Sequence, residues 1–264
     1  MTAAASAVLR DMRRDTGVRA GAFAWTSPDV VSGWHRHPYH QLEYALTGVV
    51  EVECADGRYL LPPRQAIWIP AGVAHNSTLR AVRSVSVFLH PDDVPESWSR
   101  AAVVPVPPVL RELMAYAVRW PIDRSAREDD FAAGVFATLV GLVADALEHE
   151  LPYRLPTSSD PVVARVIDAT LVRLATATAP GICREVGISP RTLRRIFPAA
   201  TGMPWSEFLA RARVLQAMSL LASTDRTVVD VAGAVGFASP SGFTRAFGRL
   251  TGTSPAAYRR QIHD

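Results

Sequence analysis

The sequence predicts an α+β protein of two domains: a β-barrel with helices after it, then an all-α domain built on two helix–turn–helix units. Three observations predict this. Short apolar runs punctuated by Gly, Pro and Asp fill the first hundred residues, helical periodicity takes over near residue 109, and one pattern occurs twice after residue 160. The chain has 264 residues, 48% hydrophobic and 20% charged, so each domain can bury a core and global disorder is excluded.

The β half is legible through its turns. GVVEVECADG (48–57) and SVSVFL (84–89) alternate as half-buried strands do, and residues 45–75 read as consecutive short strands joined by turns. Pro62, Pro63 and Pro70 stand where central pairing must stop. Many short strands at close spacing predict a sandwich or barrel.

The period then changes. VLRELMAYAVRW (109–120) places Val109, Leu110, Leu113, Met114 and Ala117 at helical spacing. DDFAAGVFATLVGLVADALEHE (129–150) opens on acids, which a helix N-terminus prefers, and is apolar on more than one face. Such a helix needs covering by the barrel, by a second subunit, or by both. Its apolar stretch, Phe131 to Leu147, carries Asp145 and falls short of the roughly 20 residues of a membrane span, so a buried helix is expected and no membrane partner. The opening MTAAASAVLRDMRRD lacks the apolar run of a signal peptide. Cys54 and Cys183 fall in different domains, which argues against a structural disulfide and for a reducing cytoplasm.

LPYRLPTSSDP (151–161) holds three prolines and a Ser/Thr cluster and reads as a linker. The expected organisation is therefore a β-rich domain with helices over 1–150, a linker over 151–159 and a helical domain over 160–264. Charge divides at the same place. Residues 160–264 hold 13 Arg against 7 acids, net +6, whereas residues 1–159 hold 15 Arg against 18, net −3. Every basic residue is Arg; high genomic GC content accounts for that without any function.

Within the basic half, ICREVGISPRTLRRIFPAATGMPWSEFL and VAGAVGFASPSGFTRAFGRLTGTSPAAYR share their punctuation. Each predicts a short helix, a tight turn at Gly187 or Gly236, a second helix capped by Ser189 or Ser239 before a proline, and a stop at Gly202 or Gly252. Residues 208–223 predict one long helix joining the units. Leu193, Ile196 and Phe197 form the apolar face of the first reading helix and leave Arg191, Thr192, Arg194 and Arg195 outward. Phe243, Ala246 and Phe247 do so in the second, leaving Ser241, Thr244, Arg245 and Arg249. A second helix of this kind enters the major groove, where arginine reads guanine bidentately or grips phosphate.

Residues 160–264 resemble the DNA-binding domain of the AraC/XylS family of bacterial regulators. The more specific match is the second unit, through Ala232, Gly236, Phe237, Ser239, Phe243, Arg245, Phe247, Gly252, Ser254, Pro255, Tyr258 and Arg259. The resemblance implies two reading helices in successive major-groove segments of promoter DNA. Carried over by position, the contacts are Arg191, Arg194 and Arg195, then Pro240, Ser241 and Arg245. Pro198 departs from the family's usual Lys or Arg, and an interior proline costs about 3 kcal/mol. With Gly181 weakening the helix before it, the first reading helix is expected to be shortened or kinked. Pro240 and Gly242 leave the start of the second unusually bare.

Four of the seven histidines fall in two short segments, His35, His37 and His40 in WHRHPYHQLEYALTG and His75 in PAGVAHN. In a strand His35 and His37 share a face, and Gln41 and Glu43 join it if the strand continues. His75 follows a Pro-x-Gly turn that can return to the same pocket. Two or three imidazoles with an oxygen ligand suit a divalent transition metal such as Zn, Ni, Fe or Mn. Trp34, Tyr39, Tyr44, Trp68 and Phe88 are candidate walls, with Trp34, His40, Glu43 and Trp68 as the effector pocket.

This stretch resembles a cupin: His35, His37 and Gly48 match the first motif of that fold, and Pro70, Gly72 and His75 the second. Gln41 stands at the usual glutamate, with Glu43 two residues on. The resemblance implies a cupin-type barrel with metal ligands His35, His37, Gln41 and His75. A metal-free pocket for an organic inducer and purely structural histidines are the alternatives. The leading expectation is a non-enzymatic one-component regulator. Its barrel senses a small molecule or metal ion, and it works as a homodimer on promoter DNA, with RNA polymerase as a further partner if it activates. The alternatives are a cupin metalloenzyme with an appended DNA-binding domain, and an architectural DNA-binding protein without a sensor.

Overall fold

The computed structural model describes residues 17–124 and 129–263. The segment read for a signal peptide lies outside these residues, apart from its neighbour Gly17. The chain divides into two compact units, one of residues up to Ala55 and Tyr59–Arg154, the other of Asp56–Arg58 and Leu155 onward.

The first unit is an antiparallel sheet with helices on one face. Its strands are β1 (Ala20–Val31), β2 (His40–Cys54), β3 (Gly57–Leu61), β4 (Gln65–Ile69), β5 (His75–Leu89) and β6 (Ala102–Pro105). β5 lies between β1 and β2, β2 also pairs β3 and β4, and β4 pairs β6. β3 and β4 end at the prolines Pro62 and Pro70, as expected. The strands are longer than the expected short ones. β2 runs 15 residues through Gly48, and its register against β5 shifts between Ala45 and Thr47 and again between Thr47 and Val49. Gly48 has φ +76, a conformation glycine adopts without penalty, so the strand bulges and continues instead of turning.

Alternation gives the sheet two faces. Ala20, Ala22, Leu42, Tyr44, Trp68, Val85, Val87 and Leu89 form one core with helices α1 (Pro108–Ala117) and α2 (Asp130–Glu148). α1 contributes Leu110, Met114 and Ala117; α2 contributes Ala132, Val135, Phe136, Leu139, Val143 and Ala146. The Asp129 carboxylate caps α2, accepting from the Ala132 N–H at 2.9 Å and from the Trp120 indole at 2.8 Å. By length and composition α2 alone, among the described helices, is long and apolar enough to cross a membrane, but one face of it is core. The opposite face, Phe131, Ala133, Gly134, Ala137, Thr138 and Gly141, is exposed.

The expected linker is ordered. It carries a short strand β7 (Arg154–Pro156), and Tyr153 and Leu155 are buried. Apolar side chains among the prolines give that stretch something to pack, which its turn-rich composition concealed.

From Pro161 onward the second unit is helical: α3 (Pro161–Val172), α4 (Ala179–Val186), α5 (Pro190–Thr201), α6 (Trp205–Ser223), α7 (Val228–Ala234), α8 (Pro240–Thr251) and α9 (Pro255–His263). Asp160 caps α3 through its carboxylate, followed by Pro161 at the first position. α6 joins the two repeats and buries residues all round its circumference, from Phe208 and Leu209 to Met218 and Leu221.

Candidate metal centre and nucleic-acid interface

The histidines converge, though not on a strand. Residues 32–39 form a loop, and His35 makes an isolated antiparallel bridge with His75: N–H to carbonyl at 3.0 Å one way and 2.9 Å the other. The Pro70–Val73 turn closes by a 3.2 Å backbone bond, with Gly72 at φ +75 donating its N–H to the His37 carbonyl at 2.9 Å. Loop and turn, not the period of a strand, bring His35, His37 and His75 together. One ligand nitrogen from each lies within 4.8 Å of the others.

The three rings share an orientation rule. Nδ1 of His35 sits 2.9 Å from the Gly33 carbonyl, Nδ1 of His37 2.8 Å from that of Tyr39, and Nδ1 of His75 2.9 Å from that of Val73. A neutral imidazole meets a carbonyl only by donating, so each ring is the Nδ1–H tautomer and carries its lone pair on Nε2. Metal-ligating histidines are fixed in this way. Burial favours the neutral form of two of the rings: it lowers the pKa of His75 to about 3, and that of His37 as well.

Gln41 extends the set. It stands on β2 with its amide nitrogen donating to Glu43 Oε2 at 3.0 Å, which turns Oε1 toward His37 Nε2, also 3.0 Å away. With the His37 N–H given to Tyr39, the two facing atoms are both acceptors. A cation between them satisfies both, so the residues present fit a transition metal bound by imidazole and amide oxygen. Glu43 lies one step behind Gln41, hydrogen-bonded by the Ser86 hydroxyl, and burial pushes its carboxyl pKa up.

Beside the centre is a cavity of about 50 Å³ lined by His35, Gln41, Glu43 and His75 on one side and by Phe23, Trp25, Val30 and Leu79 on another. Of the expected pocket residues only Glu43 lines it. His40 and Trp68 belong to the opposite face of the sheet, because residues one apart on β2 point oppositely. There His40 stacks on Trp68 at 4.9 Å, its Nδ1 accepts from the Ala71 N–H at 3.2 Å, and the Trp68 indole donates to the Trp98 carbonyl. His40 thus braces the turn that delivers His75. Trp34 is 56% exposed on the loop and Tyr44 is in the helix-facing core. Phe88, by contrast, stands edge-on to His37 at 5.4 Å. Sequence reasoning missed Phe23, Trp25 and Ser86. The alternation in AGAFAWTSPDVV (20–31) was the available signal, and register then sets Phe23 opposite Ser86 and Trp25 opposite Ser84.

The helical unit presents its repeats with matching caps. Thr178 and Thr227 cap α4 and α7, accepting from the N–H of Gly181 and Asp230. Gly187 (φ +78) and Gly236 (φ +93) make the turns. Ser189 and Ser239 cap α5 and α8, accepting from the N–H of Thr192 and Gly242, each ahead of a proline at the first helical position. Gly202 and Gly252 end both helices in the left-handed region. α5 runs through Pro198 to the same length as α8, which corrects the expected shortening. Pro198 falls in the last turn, and its carbonyl still accepts from Gly202 as Gly248 does from Gly252. The missing donor costs one bond near a helix end, where the αL cap and buried Phe197 hold the turn.

Leu193 and Phe197 in α5, and Phe243 and Phe247 in α8, are buried, whereas Arg191, Arg194, Arg195, Pro240, Ser241, Thr244, Arg245 and Arg249 are exposed. Thr192 is half-buried, with its hydroxyl 2.9 Å from that of Ser189 in the cap. Two other arginines are internal struts. Arg213 donates to the carbonyls of Leu174, Ala175 and Ala177, and Arg259 to those of Leu221 and Thr224.

A cupin-like domain with a histidine-lined cavity and a doubly capped pair of helix–turn–helix units define the class: a binding domain and a DNA reader on one chain. A family model described as the AraC-like ligand binding domain matches residues 22–156, just over half of the chain, and one described as a helix-turn-helix domain matches residues 182–261. The HTH-type transcriptional regulator NimR of Escherichia coli (strain K12) is 26% identical over 252 residues, covering 91% of this chain and 85% of that protein. The HTH-type transcriptional regulator RipA of Corynebacterium glutamicum is 49% identical over 72 residues, 27% of this chain and 22% of its own length. Among solved structures, the DNA-binding domain of AdpA in complex with a target DNA is 38% identical over 40% of this chain and 95% of its own, with a TM-score of 0.37. The chain belongs to the AraC family: it is a DNA-binding transcriptional regulator with a ligand-binding domain.

Proposed function

We propose that this regulator is a one-component metal sensor of the cytoplasm. His35, His37 and His75 hold a divalent transition ion (Zn, Ni, Fe or Mn) with Gln41 as an oxygen ligand, and its binding shifts how α5 and α8 meet promoter DNA. The observation that carries the metal is that each of the three rings has Nδ1 at a backbone carbonyl while one ligand nitrogen from each lies within 4.8 Å of the others. Coupling requires that the ion bind the DNA-competent and DNA-incompetent states with different affinity. Elemental analysis of the purified protein tests the site. The wild type is expected to carry metal and the His37→Ala/His75→Ala variant none; equal metal content in both overturns the assignment.

Arg191, Arg194 and Arg195 on α5, and Ser241, Thr244, Arg245 and Arg249 on α8, make the DNA contacts. Arg245→Ala is expected to weaken binding to the cognate promoter by about 1–3 kcal/mol with less loss on unrelated DNA. An equal loss on both, read by titrated gel shift, makes it a phosphate contact instead. The exposed face of α2 packs against a second copy, giving a homodimer, and RNA polymerase is the further partner where the protein activates.

A further inference from the structure

We infer that the species recognised beside the metal is a small anion, a short-chain carboxylate, seated in the cavity between the histidines and Trp25. This rests on the reading of His35, His37, His75 and Gln41 as metal ligands.

Charge is the first argument. The donor atoms this chain offers are three neutral imidazole nitrogens and one neutral amide oxygen. A divalent ion held by them brings two positive charges into a site where His37, Gln41 and His75 are all less than a tenth exposed. Uncompensated charge in such surroundings is costly. Glu43 is the sole acid among the residues lining the cavity. It is spent on Gln41 and Ser86 and supplies at most one negative charge against two. A glutamate in place of Gln41 would have closed the balance within the ligand set; the amide leaves it to an outside anion.

Hydrogen bonding and size give the second and third. Trp25 lines the cavity, and among the described residues its buried indole N–H has no acceptor. A carboxylate supplies an acceptor oxygen for that donor while its other oxygen faces the histidines. The cavity is about 50 Å³. A water needs about 10–15 Å³ on this measure, so a molecule of a few heavy atoms fits, whereas the pockets that take drug-sized ligands run to roughly 300–1,000 Å³. Phe23, Val30 and Leu79 supply an apolar wall for a short alkyl end.

The test uses the full chain stripped of metal and reloaded with Co(II), whose visible absorption reports its ligands. Sodium acetate is titrated in parallel with acetamide, which has the same shape and no charge. Acetate is expected to change the band saturably and acetamide to leave it unchanged. Trp25→Phe, which keeps the wall and removes the donor, is expected to weaken acetate by about tenfold. Cobalt that binds but ignores acetate, or answers acetamide equally, overturns the anion and leaves the metal standing. Absence of a cobalt band altogether overturns the metal reading and the anion with it.

Discussion

At the scale of single residues, the centre depends on what lies behind each ligand. Gly33, Tyr39 and Val73 act through their carbonyls alone, so no side-chain pattern announces them. His40, one residue from a ligand, is used for bracing instead. Its pKa is lowered to about 4 by burial and, less strongly, by the neighbouring imidazoles. Together with His75, at about 3, it gives the metal-free protein a predictable acid response. In the unfolded chain both rings take up protons below about 6.5, while the folded protein excludes them. Stability from these groups is present above that pH and is lost as pH falls through the window toward 4. Thermal melting of the metal-stripped protein should show Tm falling below about pH 6.5. A Tm that stays level from pH 7 to pH 5 contradicts the buried neutral rings. Replacing His40 by Phe keeps the stack on Trp68 but orphans the Ala71 N–H, for an expected loss of about 1–3 kcal/mol.

At the scale of elements, the paired units are held by caps and by two glycines with different duties. Gly236 has φ +93, and a Cβ there would lie 2.1 Å from the Ala175 carbonyl oxygen. Gly236→Ala is therefore expected to cost more than about 2 kcal/mol, from the left-handed backbone and the clash together. Gly233, on the neighbouring helix α7, has open space around its would-be Cβ. Gly233→Ala should stabilise by about 0.5–1 kcal/mol, since it trades helical glycine for the best helix former. Denaturant unfolding of the two variants checks the contrast, and similar effects from both would refute it. The turn residues, caps and buried phenylalanines of this half were all legible because each acts locally. Pro198 was misjudged for the opposite reason. A proline penalty belongs to a helix interior, and tertiary packing at Phe197 together with the Gly202 cap decided where the interior stopped.

For the whole molecule, α2 poses the question of assembly. Its buried side is settled by the sheet, while its outer side carries small residues and the 62% exposed Phe131. Gly134 and Gly141 have nothing within 4 Å of their would-be Cβ atoms among the described residues. Gly134→Arg/Gly141→Arg is thus tolerated by the protomer and is expected to shift sedimentation from dimer to monomer. An unchanged sedimentation coefficient would count against the proposed homodimer through this face.

Local chemistry settled the domain order, the two capped reading helices and the histidine-rich segment, because periodicity, N-caps and left-handed glycines act within a few residues. Alternation put His40 and Glu43 on opposite faces of β2, and tertiary structure decided which face meets the helices and which the cavity. It also brought His75 beside His35 across the sheet. Those pairings come from strand register and from a loop bridged to a strand forty residues distant, and no short-range pattern encodes either.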